Sequence, residues 1–184
     1  MSVLTLANQL TLLRVVLIPA FVILVIYGHL GWALIVFATA CLTDALDGLT
    51  ARWSDQKSTL GAWLDPMADK LLALSTFIVL TVPWLGLANP LPIWLTVLII
   101  SRDVVIVGTV AIVNLAIGPK TFRPSLFGKA ATATYMMTAV VAMFYNYLGY
   151  HSRVVDTFVY ASLAITLVSS MHYIYHAARI IEGR

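Results

Sequence analysis

The chain is short of charge. Only 10% of its 184 residues are Asp, Glu, Lys or Arg, while 61% are hydrophobic. A soluble domain carries about 25% charged residues, so an ordinary water-soluble globule is excluded and little chain is left for a soluble domain. Cysteine is nearly absent. Cys41 stands alone, which rules out a disulfide within the chain, and in its apolar run it reads as a small buried hydrophobe. No cluster of His and Cys offers a soft metal site. His172 and His176 share a helix face at i and i+4 but lack a third ligand, and they read as interfacial or packing residues. A basic stretch ahead of the first apolar run is missing as well. The first cation, Arg14, lies inside that run and no convincing cleavage site follows, so a cleaved signal peptide is not expected.

Long apolar runs are what the chain has in their place. A membrane-spanning helix needs about 20 mostly apolar residues, and six such runs are read at 10–28, 32–52, 60–82, 92–116, 128–149 and 154–178. Turn residues separate them: Gly28-His29, Ser54 through Ser58, Pro83 through Pro92, Gly118 through Ser125, and Gly149 through Arg153. Pro19 is expected to kink the first. No internal repeat or low-complexity tract is present. The expectation is an all-α integral membrane protein, a single domain over 1–184 built as a six-transmembrane-helix bundle, with residues 1–9 lying at the interface. Arg52 and Lys57 mark the second connection, Lys120, Arg123 and Lys129 the fourth, and Arg179 and Arg184 the C-terminus; the opposite loops hold only Arg153. The positive-inside rule then puts both termini and the two basic connections in the cytoplasm. Tyr and Trp near the span ends read as interfacial belts.

Four of the eight acidic residues, Asp44, Asp47, Asp65 and Asp69, sit in one stretch flanking the second connection. A carboxylate in hydrocarbon costs at least about 2.5–3.5 kcal/mol on insertion scales, so four at helical spacing imply a bound ion and chemistry. Asp44, Asp47, Gly48 and Ala51 fall at i, i+3, i+4 and i+7, and Gly61, Asp65 and Asp69 at i, i+4 and i+8, so each set shares a helix face. A short connection makes the two helices antiparallel neighbours, with the carboxylate stripes facing near the cytoplasmic end. Hard oxygen ligands suit Mg²⁺ or Mn²⁺ rather than zinc. Gly48, Ala51 and Gly61 either let a bulky ligand approach the backbone or let helices pack closely. Arg52 either meets a phosphate oxygen or anchors the helix end.

These positions read Asp-x-x-Asp-Gly-x-x-Ala-Arg-x8-Gly-x3-Asp-x3-Asp from Asp44 to Asp69, with no departure. The pattern resembles the CDP-alcohol phosphotransferase family, membrane enzymes of phospholipid synthesis whose six-helix layout matches the runs above. The resemblance implies transfer of a substituted phosphate from a CDP-linked donor to a hydroxyl, with release of CMP. It implies that Asp44, Asp47, Asp65 and Asp69 hold one or two divalent ions, Mg²⁺ or Mn²⁺. Asp69 would also be the general base, and Asp44, Asp47, Gly48, Ala51, Arg52 and Gly61 would bind the CDP moiety. Asn8, Thr11, Arg14 and Pro19 resemble the opening of bacterial members that use CDP-diacylglycerol. A homodimer follows from the same likeness; the acidic motif flanking the cytoplasmic second connection predicts an active site open to the cytoplasm, a bacterial inner (plasma) membrane is the expected location, and no nucleic-acid partner is expected.

An anionic acceptor needs cations, and Arg14, Lys70, Arg102, Lys120, Arg123 and Lys129 are the candidates. Arg14 has the alternative of snorkelling to the interface, Lys120 and Arg123 of acting only as topology anchors, and Asp103 of being merely the ion partner of Arg102. Asp65-Pro66-Met67-Ala68-Asp69-Lys70-Leu71 is similar to two branches, the phosphatidylglycerophosphate synthases, which use glycerol-3-phosphate, and the cardiolipin synthases, which use phosphatidylglycerol. Ser101-Arg102-Asp103, Arg123-Pro124-Ser125, Gly128-Lys129 and Thr132 tilt the reading slightly to the second. A cation transporter is the rival from another class, since intramembrane carboxylates can line an ion path, but it predicts acidic residues spread over several spans. A non-catalytic assembly subunit is a third reading, and it would tolerate Asp69→Asn.

Overall fold

The computed structural model describes residues 6–53, 59–117 and 126–181, and within them the side chains of residues 9–43, 67–109, 115 and 126–175. The described residues form six α-helices and no strand. They are α1 (Leu6–Ile26), α2 (Leu30–Trp53), α3 (Thr59–Thr81), α4 (Ile93–Ile117), α5 (Leu126–Leu148) and α6 (Arg153–Ile181), with one 3₁₀ turn at Pro83–Leu85. Each lies within a few residues of an expected run. The N-terminal segment differs from expectation. From Leu6 it is already part of α1, because Leu6 through Leu10 hold no helix breaker; residues 1–5 lie outside the described part. Pro19 sits inside α1, which continues past it.

The helix ends are set by turn chemistry. After α1, Gly28 adopts φ 76°, its N–H donates to Val25 O (3.0 Å), and His29 N–H donates to Leu24 O (2.8 Å). This pair of bonds with a left-handed glycine is a Schellman cap. Gly149, φ 76°, ends α5 with bonds from its N–H to Tyr145 O and Asn146 O.

By packing, the chain divides into two compact units. One comprises the residues up to Pro90 with Ala142–His151; the other comprises Leu91–Val141 with the residues from Ser152 onward. In the first unit α1 packs against both α2 and α3. Its buried row is Thr11, Arg14, Ile18, Phe21 and Val25, at alternating three- and four-residue steps. Phe21 meets Phe37 of α2 with ring centroids 5.3 Å apart. Ala33, Phe37 and Ala40 form the buried row of α2, and Ala68, Leu72, Thr76 and Leu80 that of α3. A reciprocal amide pair fastens the α3–α4 connection to the end of α5. Asn89 N–H donates to Asn146 Oδ1 (2.7 Å) and Asn146 Nδ2 to Asn89 O (3.1 Å).

In the second unit α4 packs against α6. Val155, Val159, Ser162, Thr166 and Ser169 make the buried row of α6, apolar in its first turns and hydroxylic beyond them. The hydroxyls are paired: Thr138 Oγ1 with Ser162 Oγ at 2.8 Å, and Tyr135 OH with Thr166 Oγ1 at 2.5 Å. Such bonds join helices where no water competes.

Large apolar side chains cover the outward faces, among them Leu12, Val16 and Ile23 of α1 and Met171 and Ile174 of α6. That is the surface a lipid environment requires and water does not. Among the described residues, three helical segments are long and apolar enough to cross a membrane: Gln9–Ile26, Leu126–Leu148 and Arg153–Tyr175. Tyr27, Trp32, Trp84 and Tyr150 are exposed beside the α1–α2, α3–α4 and α5–α6 connections, where amphipathic rings suit a headgroup layer.

Candidate active site

The acidic pattern falls on two consecutive helices. Asp44, Asp47, Gly48, Ala51 and Arg52 belong to the C-terminal half of α2, and Gly61, Asp65 and Asp69 to the N-terminal half of α3. By helical register, positions 44, 47 and 51 continue the row begun by Ala33, Phe37 and Ala40. The side chains of residues 44–53 and 59–66 lie outside the described ones, so Asp69 is the member of the acidic set whose surroundings are on view.

Asp69 is half-buried, its side chain 40% exposed, and it accepts a charged hydrogen bond on Oδ1 from Nη1 of Arg14, whose side chain is completely buried. The bond joins α1 to α3. It brings together two residues that the sequence put in different roles, a metal-ligating base and an acceptor-binding cation. Snorkelling is not what Arg14 does, since a snorkelling head group stays in water.

Arg102 is the other buried cation. Its side chain is 9% exposed; Nη1 donates to Asp103 Oδ1 (3.0 Å) and Nη2 to Ser169 Oγ on α6 (3.1 Å). Its Nε is buried with no hydrogen-bond partner among the described residues. A guanidinium N–H held from water without an acceptor is costly, and an oxyanion arriving there would complete the set. Lys70 and Lys129 are exposed, while Lys120 and Arg123 lie outside the described residues. His172 is exposed and stacks obliquely on Phe127 at 4.9 Å; the side chain of His176 lies outside the described ones.

Ser169, Tyr135, Thr138, Ser162 and Thr166 were not singled out in the sequence. The available signal was the run Ser162, Thr166, Ser169 at helical spacing in an apolar span, which marks a face turned from lipid. Another feature is an open recess of about 700 Å³ lined by Gly31, Trp32, Ile35 and Tyr147 among others. It adjoins the C-terminal end of α1, about 20 Å along that helix from Arg14 at 1.5 Å per residue, and its lining holds no carboxylate. It is not the active site.

The donor chemistry of the acidic set fits a hard divalent ion. All four groups are carboxylates, and the one on view keeps solvent access while a buried cation holds its other side.

A model of the CDP-alcohol phosphatidyltransferase family matches residues 4–170. A protein of Mycobacterium tuberculosis (strain H37Rv) named probable phosphatidylglycerophosphate synthase is 34% identical over 187 residues, covering 97% of this chain and 84% of that protein. A rat cardiolipin synthase (CMP-forming) is 32% identical over 200 residues, covering 98% of this chain and 65% of the relative. A cardiolipin synthase (CMP-forming) of Streptomyces coelicolor is 37% identical over 140 residues, covering 73% and 62%. With the family match spanning nearly the whole chain, the protein belongs to the CDP-alcohol phosphatidyltransferases, membrane enzymes of phospholipid biosynthesis.

Proposed function

We propose that the protein transfers the phosphatidyl group of CDP-diacylglycerol to a hydroxyl of phosphatidylglycerol and releases CMP. The observation that carries this reading is the complete acidic pattern on the adjoining halves of two consecutive helices, α2 and α3. Asp44, Asp47, Asp65 and Asp69 hold one or two Mg²⁺ or Mn²⁺ ions, which when bound offset charge on the pyrophosphate and the departing CMP. Asp44, Asp47, Gly48, Ala51, Arg52 and Gly61 bind the CDP moiety. Asp69 takes the proton of the acceptor hydroxyl as that oxygen forms its bond to the donor's β-phosphorus and the bond to CMP breaks. Positioning and charge compensation supply most of the acceleration in such transfers.

The phosphate of the acceptor is met by cations drawn from Lys70, Arg102, Lys120, Arg123 and Lys129. The Nε of Arg102, buried without a hydrogen-bond partner among the described residues, supports that residue. The protein acts as a single domain of six spans with both termini cytoplasmic, in a bacterial inner membrane, with its site open to the cytoplasm and two copies per assembly.

A second reading takes glycerol-3-phosphate as acceptor. The M. tuberculosis relative favours it, because this chain covers 84% of that protein but only 65% and 62% of the two cardiolipin synthases. The test supplies purified protein with CDP-diacylglycerol and Mg²⁺, and either phosphatidylglycerol or radiolabelled glycerol-3-phosphate. CMP release with phosphatidylglycerol alone supports the first reading. Label entering lipid from glycerol-3-phosphate establishes the second, and no CMP from either would sink both.

A further inference from the structure

We infer that Arg14 is a positioning residue for Asp69 and not a contact of the acceptor. The inference rests on the reading of Asp69 as metal ligand and base. Exposure decides between the two roles. The Arg14 side chain is wholly buried, in a row with Thr11, Ile18, Phe21 and Val25, whereas 40% of the Asp69 side chain is accessible. A ligand entering from solvent meets the carboxylate; it does not meet the guanidinium. Arg14 therefore acts on the reaction through Asp69.

The chemistry of the pair suits that task. A buried guanidinium stays charged and needs an anionic partner, and here the partner lies on a neighbouring helix, 55 residues away in sequence. Because α1 packs on both α2 and α3, Arg14 ties the helix carrying Asp69 to a helix that also packs on α2. A bond to Oδ1 from a planar donor whose own position is fixed by packing sets the rotamer and the plane of the carboxylate. The base is thus oriented before an ion or substrate arrives, which is where a small displacement is most damaging to rate. A lysine would keep the charge at this position but lose the rigid fork.

Two measurements test the inference. The first is steady-state turnover of Arg14→Gln and Arg14→Lys, with each substrate varied separately. The expected result is a kcat at least tenfold lower for Arg14→Gln, partial recovery in Arg14→Lys, and an acceptor KM within twofold of the parent. A risen acceptor KM, with or without a fall in kcat, would show direct contact with the acceptor and overturn the inference. An unchanged kcat would reduce Arg14 to packing and overturn it equally. The second measurement is thermal unfolding in EDTA, independent of catalysis. Asp69→Asn removes a carboxylate from the buried guanidinium and should melt lower than the parent. Adding Arg14→Gln should raise the melting temperature again, and a double variant that melts lower still would mean the pair does not hold the protein. If Asp69→Asn alone turns over normally, the reading of Asp69 as base has failed, and that outcome is distinct from a failure of the positioning role.

Discussion

Replacing Asn146 with alanine should cost far more stability than replacing Asn89, although both are 2% exposed and belong to the same hydrogen-bonded cluster. The Asn146 side chain bonds both polar groups of the Asn89 peptide, accepting from the N–H at 2.7 Å and donating to the carbonyl at 3.1 Å. Asn146→Ala removes both bonds while the backbone groups stay buried. A lost hydrogen bond whose partner remains behind costs about 1–3 kcal/mol, which puts the pair at about 2–4 kcal/mol after partial relaxation. Asn89→Ala leaves those two bonds in place and removes the bond from Asn89 Nδ2 to Tyr150 O (2.9 Å), at about 1 kcal/mol. For a domain of this size each kcal/mol shifts Tm by roughly 2–4 °C. The expected shifts are about 4–16 °C for Asn146→Ala and about 2–4 °C for Asn89→Ala. The half-buried Cys41, the single cysteine of the chain, can report unfolding in detergent through a thiol-reactive dye. Turnover well below Tm should be unchanged in both variants, because about 18 Å of helix separates Asp69 from the Thr81 end of α3 where the cluster begins. Equal shifts, or a larger one for Asn89→Ala, would refute the assignment of the Asn146 amide as the clamp.

Four further outcomes are expected. Asp69→Asn should lower kcat by about 10²–10⁴, the span of a lost general base, with helical circular dichroism intact; undiminished CMP release would remove Asp69 from the mechanism. EDTA should abolish CMP release and Mg²⁺ or Mn²⁺ restore it, and either ion at about 100 times its Kd should stabilise the fold by about 2.7 kcal/mol, read as a rise in Tm. Arg102→Ala should raise the acceptor KM at least tenfold with the KM for CDP-diacylglycerol little changed, which kinetics with each substrate varied separately would check. Two glycines with open space around them should respond oppositely to alanine. Gly149, at φ 76°, should lose about 1–2 kcal/mol, while Gly108, inside α4, should gain up to about 1 kcal/mol; equal melting shifts would refute this.

The six helices were legible because a long apolar run is a long-wavelength signal. Some twenty apolar residues between glycines and prolines are hard to misread, and α1 to α6 lie close to the expected runs. The start of α1 was not legible, because Leu6 through Gln9 suit an interfacial segment and a helix equally. That the acidic pattern falls on two helices was legible from spacing, since positions 44, 47 and 51 share a row in any α-helix. Partnership across helices was not. Nothing in Leu-Leu-Arg-Val-Val states that Arg14 meets a carboxylate 55 residues later, and a lone arginine near a span end reads equally well as an interfacial anchor. Ser169 escaped for a similar reason. One serine in an apolar span is common, and its role comes from Arg102 on another helix.

The two buried cations treat charge in the same way. Each guanidinium is met by a carboxylate, Arg14 by Asp69 and Arg102 by Asp103, as a low-dielectric interior requires. In the first pair the group that keeps access to solvent is the carboxylate, 40% exposed beside a cation with no exposure. In the second the carboxylate is 32% exposed, and the Nε of Arg102, like that of Arg14, is buried without an acceptor among the described residues. An accessible carboxylate attracts a metal ion or a proton, and an unsatisfied guanidinium N–H attracts an oxyanion. Sites of both kinds within one chain, more than the number of charges, distinguish it from an ion path, where successive sites should present the same kind of ligand to one travelling cation.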